Sequence, residues 1–302
     1  MSIVPTRAAP GGPLDGERPA APDRPFLVAL LGAVFLLAIV TTLLHRPDGV
    51  VISSDPGYAP RPVPLLLVPT LAAALLTVLL PRGTGRAQAA VRRPRAVRAE
   101  TALLLALVLA FPLLVPLLPL PEDYVLLKAV MFLLVPVAVL ALSARHVGPS
   151  VAVGRPAVAR WQLLLPPLVF AGLATVGPFS SGMPSVWPPP ALLAVSAVAT
   201  AITAGFGEEL VYRSFLQTRL EALLGPWSGL LLASLLFGLM HTPSHGEGPL
   251  WADAAQVIAL QGTSGIALGM MWRRWRRLWV CVLAHVLLNG LGVLLHLIGM
   301  LA

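Results

Sequence analysis

Apolar residues run along this chain in long blocks, broken by short stretches of arginine, proline and glycine. A hydrocarbon core of ~30 Å takes roughly 20 helical residues at a rise of ~1.5 Å each. Blocks of that length occur at 26–44, 63–80, 101–120, 124–143, 161–177, 190–210, 227–243, 252–271 and 278–300, and the pattern predicts a membrane span at each. The expected fold class is all-α, a polytopic transmembrane helix bundle of about 8–9 spans behind a disordered N-terminal tail. Four prolines at 112, 116, 119 and 121 predict a kinked or partly re-entrant third span.

Residues 1–24 show no apolar period and are rich in proline, glycine, alanine and mixed charge, which predicts a mobile tail. The block at 26–44 is too long for a signal-peptide core and reads as a retained span. Three regions follow: a cytoplasmic tail at 1–24, variable N-terminal transmembrane helices at 25–180, and a further domain at 190–300.

Composition agrees with insertion in a membrane, since 57% of the 302 residues are hydrophobic and 11% are charged. A soluble domain carries roughly 25% charged residues. The net charge of +8 does not point to nucleic acid, because the arginines gather at the ends of apolar blocks. Arg82, Arg86, Arg92, Arg93, Arg95 and Arg98 fill one loop, Arg145, Arg155 and Arg160 a second, and Arg273, Arg274, Arg276 and Arg277 a third. An odd number of spans puts all three loops on the side of the N-terminus, which the positive-inside rule assigns to the cytoplasm. The expected location is therefore the plasma (inner) membrane, with lipids as neighbours and no nucleic-acid partner. Cys281, the single cysteine, excludes an intramolecular disulfide and reads as a packing residue.

Polar residues inside the later blocks carry the candidate chemistry. Glu208, Glu209 and Arg213 stand in Gly-Glu-Glu-Leu-Val-Tyr-Arg. Each ionised group costs ~2.5–3.5 kcal/mol at the centre of a span, so they must face a wet cavity, pair with one another, or lie at the interface. Helical spacing puts Glu209 and Arg213 on one face as an ion pair. Glu208, turned ~100° away, is free to act as a general base toward water. His241 follows Phe237 by four residues, and nearby His245 reads as solvated. His285 and Asn289 share one face of the last block. Interfacial glutamates, a packed histidine and an interhelical hydrogen-bond pair are the structural alternatives.

The ordered set Glu-Glu-x-x-x-Arg, Phe-x-x-x-His and His-x-x-x-Asn resembles the CPBP family of intramembrane proteases, the CAAX prenyl protease 2 (Rce1-like), Abi and bacteriocin-processing group. The resemblance covers roughly 195–296 and includes the spacing of Gly262, Gly265 and Gly269. It implies hydrolysis of a peptide bond in a peptide or membrane-protein substrate. Glu208 and His241 would activate water, His285 and Asn289 would hold the oxyanion, and Glu209, Arg213 and Phe237 would give structural support. It also implies either a metal-free glutamate mechanism or Zn2+ held by His241, His285 and Glu208, a His2Glu set of the kind zinc hydrolases use. No His-Glu-x-x-His segment is present. Two other readings stay open: a rhomboid-type serine protease using Ser264, within Gly-Thr-Ser-Gly, and His285; and a non-proteolytic scaffold or transporter. Oligomeric state is not encoded in these motifs.

Overall fold

A computed structural model describes residues 18–53, 57–85, 87, 89–245 and 248–299. Among the described residues the chain is mostly helical, as its apolar blocks require, and six helices are long and apolar enough to cross a membrane. Twelve α-helical segments follow in order: α1 Pro25–His45, α2 Val63–Leu79, α3 Pro94–Leu114, α4 Pro121–Lys128, α5 Val135–Val147, α6 Arg160–Thr175, α7 Pro190–Thr200, α8 Thr218–Leu224, α9 Pro226–Leu239, α10 Leu250–Val257, α11 Thr263–Trp275 and α12 Leu278–Leu297. Proline opens α1, α3, α4, α7 and α9 at the first helical position. Its missing N–H costs nothing there and its fixed φ suits the first turn.

Several α segments join through π-helical turns into single long helices. Ala129–Leu134 links α4 to α5, Ala201–Glu208 and Leu210–Gln217 link α7 to α8, and Ile258–Gly262 links α10 to α11. The helix Pro190–Leu224 is therefore 35 residues long, well beyond the block expected at 190–210. Three expected spans are shorter helices, α2 of 17 residues, α6 of 16 and α9 of 14. The six full-length helices among the described residues do not confirm a count of 8–9 spans, and α9 differs from them in its surroundings. It is buried among other helices along Ser228, Leu230, Ala233, Ser234 and Phe237, so protein rather than lipid sets its length. The proline-rich stretch near 111–121 ends α3 in the 3-10 turn Val115–Leu117, and the chain restarts at Pro121.

The arginine-rich end carries structure that apolar periodicity does not announce. Arg18–Pro19, Ala89–Val91 and Val151–Val153 form a small antiparallel sheet in the order β1-β2-β3. Residues 1–17 of the expected tail lie outside the described residues, whereas 18–24 are placed against the bundle. Asp23 Oδ1 accepts the backbone N–H groups of Trp227 and Ser228 at 2.6 and 3.2 Å, capping α9. Gly225, between α8 and α9, has φ +100°, and a Cβ there would meet the Asp23 backbone at 2.4 Å. Only glycine fits that corner.

Buried ion pairs lie near the same end, and one of them ties the two halves of the chain together. Glu100 on α3 accepts from Arg219 Nε on α8 at 2.9 Å and from Ser143 at 3.1 Å, and Ser150 also donates to it. Glu221 pairs with Arg276, and Gln217 donates to Glu221 at 2.7 Å and to the Gly269 carbonyl at 2.9 Å. Around this layer pack two apolar cores. One joins Leu104, Phe111, Phe132, Tyr212, Leu216 and Phe237, and the other joins Phe170, Leu268, Met271, Trp275 and Cys281.

Candidate active site

Gly225 reverses the chain between two helices, and Glu208 and His241 stand at nearly equal sequence distance on either side of it. An antiparallel pair with a constant rise per residue brings such positions to one depth. A span ending near 210 would leave Glu208 at the membrane rim, well away from His241. Because the helix instead continues to Leu224, the carboxylate lies inside the bundle, 0% exposed. Consecutive π-helical turns carry Glu208 and Tyr212, a departure from α geometry that recurs at functional sites.

Glu209 is the anchor of the polar cluster. Arg213 Nε donates to its Oε2 at 3.1 Å across the four-residue spacing, with both side chains fully buried. His285 Nδ1 donates to its other oxygen, Oε1, at 2.8 Å. A carboxylate only accepts, so Nδ1 carries the proton and Nε2 is the nitrogen left for other work. The close approach of α12 depends on Gly205, where a Cβ would lie 2.4 Å from Val286 Cγ2.

His241 sits at the end of α9 and is fixed in the same sense. Its Nδ1 donates to the Phe237 carbonyl at 2.8 Å, which again frees Nε2. The Phe237 ring gathers the cluster: His241 lies 5.0 Å and His285 5.9 Å from its centroid, edge-on, while the Arg213 guanidinium stands 4.6 Å over it. Glu208 is within electrostatic reach of Lys128 and of both imidazoles, and neither of its carboxylate oxygens has a hydrogen-bond partner among the described residues. The structure thus brings together Glu208, Glu209, Arg213, Phe237, His241 and His285. Asn289, one turn beyond His285 on the same face of α12, is exposed, whereas His285 is buried.

Other expectations resolve differently. His245, read as solvated, is half-buried beside His241 at 5.5 Å, and burial holds its imidazole below the usual histidine range. Ser264 shares a hydrogen bond with Thr70 on α2 at 3.2 Å, and among the described residues it makes none with His285, the partner that serine chemistry needs. Gly265 lies against Phe237 and Ser234, serving close helix contact.

Two residues to which the sequence motifs give no role join the cluster. Lys128, at the end of α4, places Nζ 2.5 Å from Glu208 Oε1, and both side chains are buried. Tyr212 lies edge-on to Phe237 at 5.3 Å, and its buried hydroxyl has no partner among the described residues. The lysine had a legible signal, a lone charge within the apolar block 124–143, since ionisable groups at membrane depth mark function by default.

The donor set does not fit the zinc ion that the resemblance left open. Among the described residues no three His, Cys, Asp or Glu side chains are arranged to hold a metal, and a lysine ammonium already stands at the Glu208 carboxylate.

A multi-helix membrane protein with carboxylates and imidazoles gathered inside its bundle belongs to a narrow class. Residues 190–291 match the family model described as Rce1-like, type II CAAX prenyl endopeptidase. Over that third of the chain the resemblance to the CPBP group is therefore established, and it supports protease activity at the level of the family. No curated protein and no solved structure matches the chain. Every side chain of the buried cluster except Lys128 lies within the matched residues.

Proposed function

We propose that this protein is an intramembrane endopeptidase that hydrolyses a peptide bond of a membrane-associated peptide or protein. One observation carries the reading: a buried carboxylate with a free oxygen, Glu208 Oε2, lies within electrostatic reach of two imidazoles whose Nδ1 atoms are already engaged. Such a set can hold and deprotonate one water molecule.

In the proposed reaction, Glu208 Oε2 and His241 Nε2 hold the water. Glu208 takes its proton as the oxygen attacks the substrate carbonyl carbon. The resulting oxyanion is held by His285, which enters the step as an imidazolium that has taken its second proton from solvent before attack; Nε2 donates to the oxyanion, keeps its proton throughout, and Glu209 balances the charge. Asn289, exposed on the same helix, is left to contact the bound peptide. Collapse of the tetrahedral intermediate breaks the C–N bond, and the proton on Glu208 passes to the leaving amine. Glu209, Arg213 and Phe237 hold the imidazoles in place. The arginine-rich end and the N-terminus face the cytoplasm of the plasma membrane, as the distribution of arginines supports.

The test uses the full chain in lipid nanodiscs with fluorogenic CAAX peptides, prenylated and unprenylated. Wild-type protein is expected to cleave at least one of them, and Glu208→Gln to lower the rate by about 10²-fold or more. Ser264→Ala is expected to leave the rate unchanged. Cleavage that survives Glu208→Gln and is lost in Ser264→Ala would overturn the assignment in favour of serine chemistry. A protein that cleaves no peptide while still binding membrane partners would be a scaffold or transporter.

A further inference from the structure

Lys128 lies outside the matched residues, yet its ammonium touches the carboxylate on which the proposed chemistry turns. It is the last residue of α4 and is 5% exposed. Nζ stands 2.5 Å from Glu208 Oε1 and 4.7 Å from the ring centroid of Tyr124, one turn earlier on the same helix. A lysine is retained at such depth only when paired, because an isolated ammonium cannot be desolvated cheaply.

The pair is not needed to join the helices that bear it. Leu133 already packs against the face of Gly207, where an added Cβ would lie 3.3 Å away, and the rings of Phe132 and Tyr212 meet edge-on at 5.9 Å. What the pair decides is the direction of the carboxylate. Neither oxygen has a regular hydrogen bond among the described residues, but Oε1 is the one in ion-pair contact with Lys128, which leaves Oε2 as the oxygen turned away from the ammonium.

We infer that Lys128 is a positioning residue: its ammonium holds Glu208 with Oε2 presented to the reacting water, and it occupies the place at this carboxylate that a divalent metal would take. The inference rests on Glu208 being the water-activating group. Two cations on one carboxylate in a poorly hydrated interior repel with little screening, so the ammonium and a zinc ion are mutually exclusive there. The site thus carries its own cation, and the cation comes from the N-terminal half of the chain rather than from the matched domain. This half is therefore part of the active site and not only its enclosure.

Two measurements on the full chain in nanodiscs test this. With the peptide that wild-type protein cleaves, Lys128→Met is expected to lower kcat by about 10²-fold, the scale of a misplaced catalytic group, with KM unchanged. Should Lys128→Met not yield folded protein, Lys128→Arg replaces it. The planar guanidinium keeps the charge but not the point contact, so kcat falls while KM and thermal stability stay near wild type. A folded variant with wild-type kcat would overturn the inference, even if Glu208→Gln abolished cleavage and so upheld the function. A fall seen only in KM would overturn it equally. The second measurement needs no activity: zinc content by elemental analysis after dialysis against zinc. Wild-type protein is expected to hold far less than one zinc per chain. Stoichiometric zinc lost on Glu208→Gln would overturn the inference whatever the peptides show. If wild-type protein cleaves no peptide, this inference falls together with the proposed function.

Discussion

Two long apolar helices of this protein, α1 and the continuous helix Leu250–Trp275, have opposite surroundings. In its most apolar window α1 is 22% buried, with Leu36 and Leu37 turned outward, whereas the other is 72% buried. The more apolar of the two is the more exposed, the reverse of the rule in water, because lipid accepts leucine as readily as a protein core does. The enclosed helix instead carries Gln256, Gly262, Thr263, Ser264, Gly265 and Gly269, small or polar residues that let neighbours approach. Between these two helices it is the less apolar one that the protein encloses.

That contrast can be sharpened by substitution. The largest loss is expected from Arg213→Met, which strands the Glu209 carboxylate in a fully buried setting. Breaking such a pair costs ~3–5 kcal/mol, visible as a large fall in the thermal midpoint of the purified protein. Gly205→Ala comes next, at ~1–3 kcal/mol for overpacking, because its Cβ would press on Val286 and push His285 away from Glu209. Peptide cleavage should fall with stability there, although alanine is the better helix former. The smallest effect belongs to the lipid-facing helix. Leu37→Ala on α1 should change stability by no more than about 0.5 kcal/mol and leave cleavage untouched. A Leu37→Ala variant as damaged as Arg213→Met would break the comparison, since it would mean that α1 is enclosed.

Much of this was legible in the sequence, for identifiable reasons. Spans were readable because lipid imposes a length on any helix that faces it. Glu208, Glu209, Arg213, His241 and His285 stood out because each is costly at membrane depth and needs a purpose. The length of the helix through Glu208 was not legible. Tyr212, Arg213, Gln217 and Arg219 make the block look finished near 210, when buried partners in fact sustain the helix to Leu224. The capping role of Asp23 was hidden as well, since it depends on a corner more than two hundred residues away. Lys128 was visible as a lone charge, but its partner lies on a distant helix and no local pattern connects them.

The aromatic ring on α9 carries a practical consequence. Phe237 touches Tyr212, Arg213, His241 and His285 at once, yet it has no proton to give or accept. An alanine scan scored only by turnover would rank it beside the acid–base groups proposed above, and anyone reshaping this helix should build outward from that phenyl group and leave it in place.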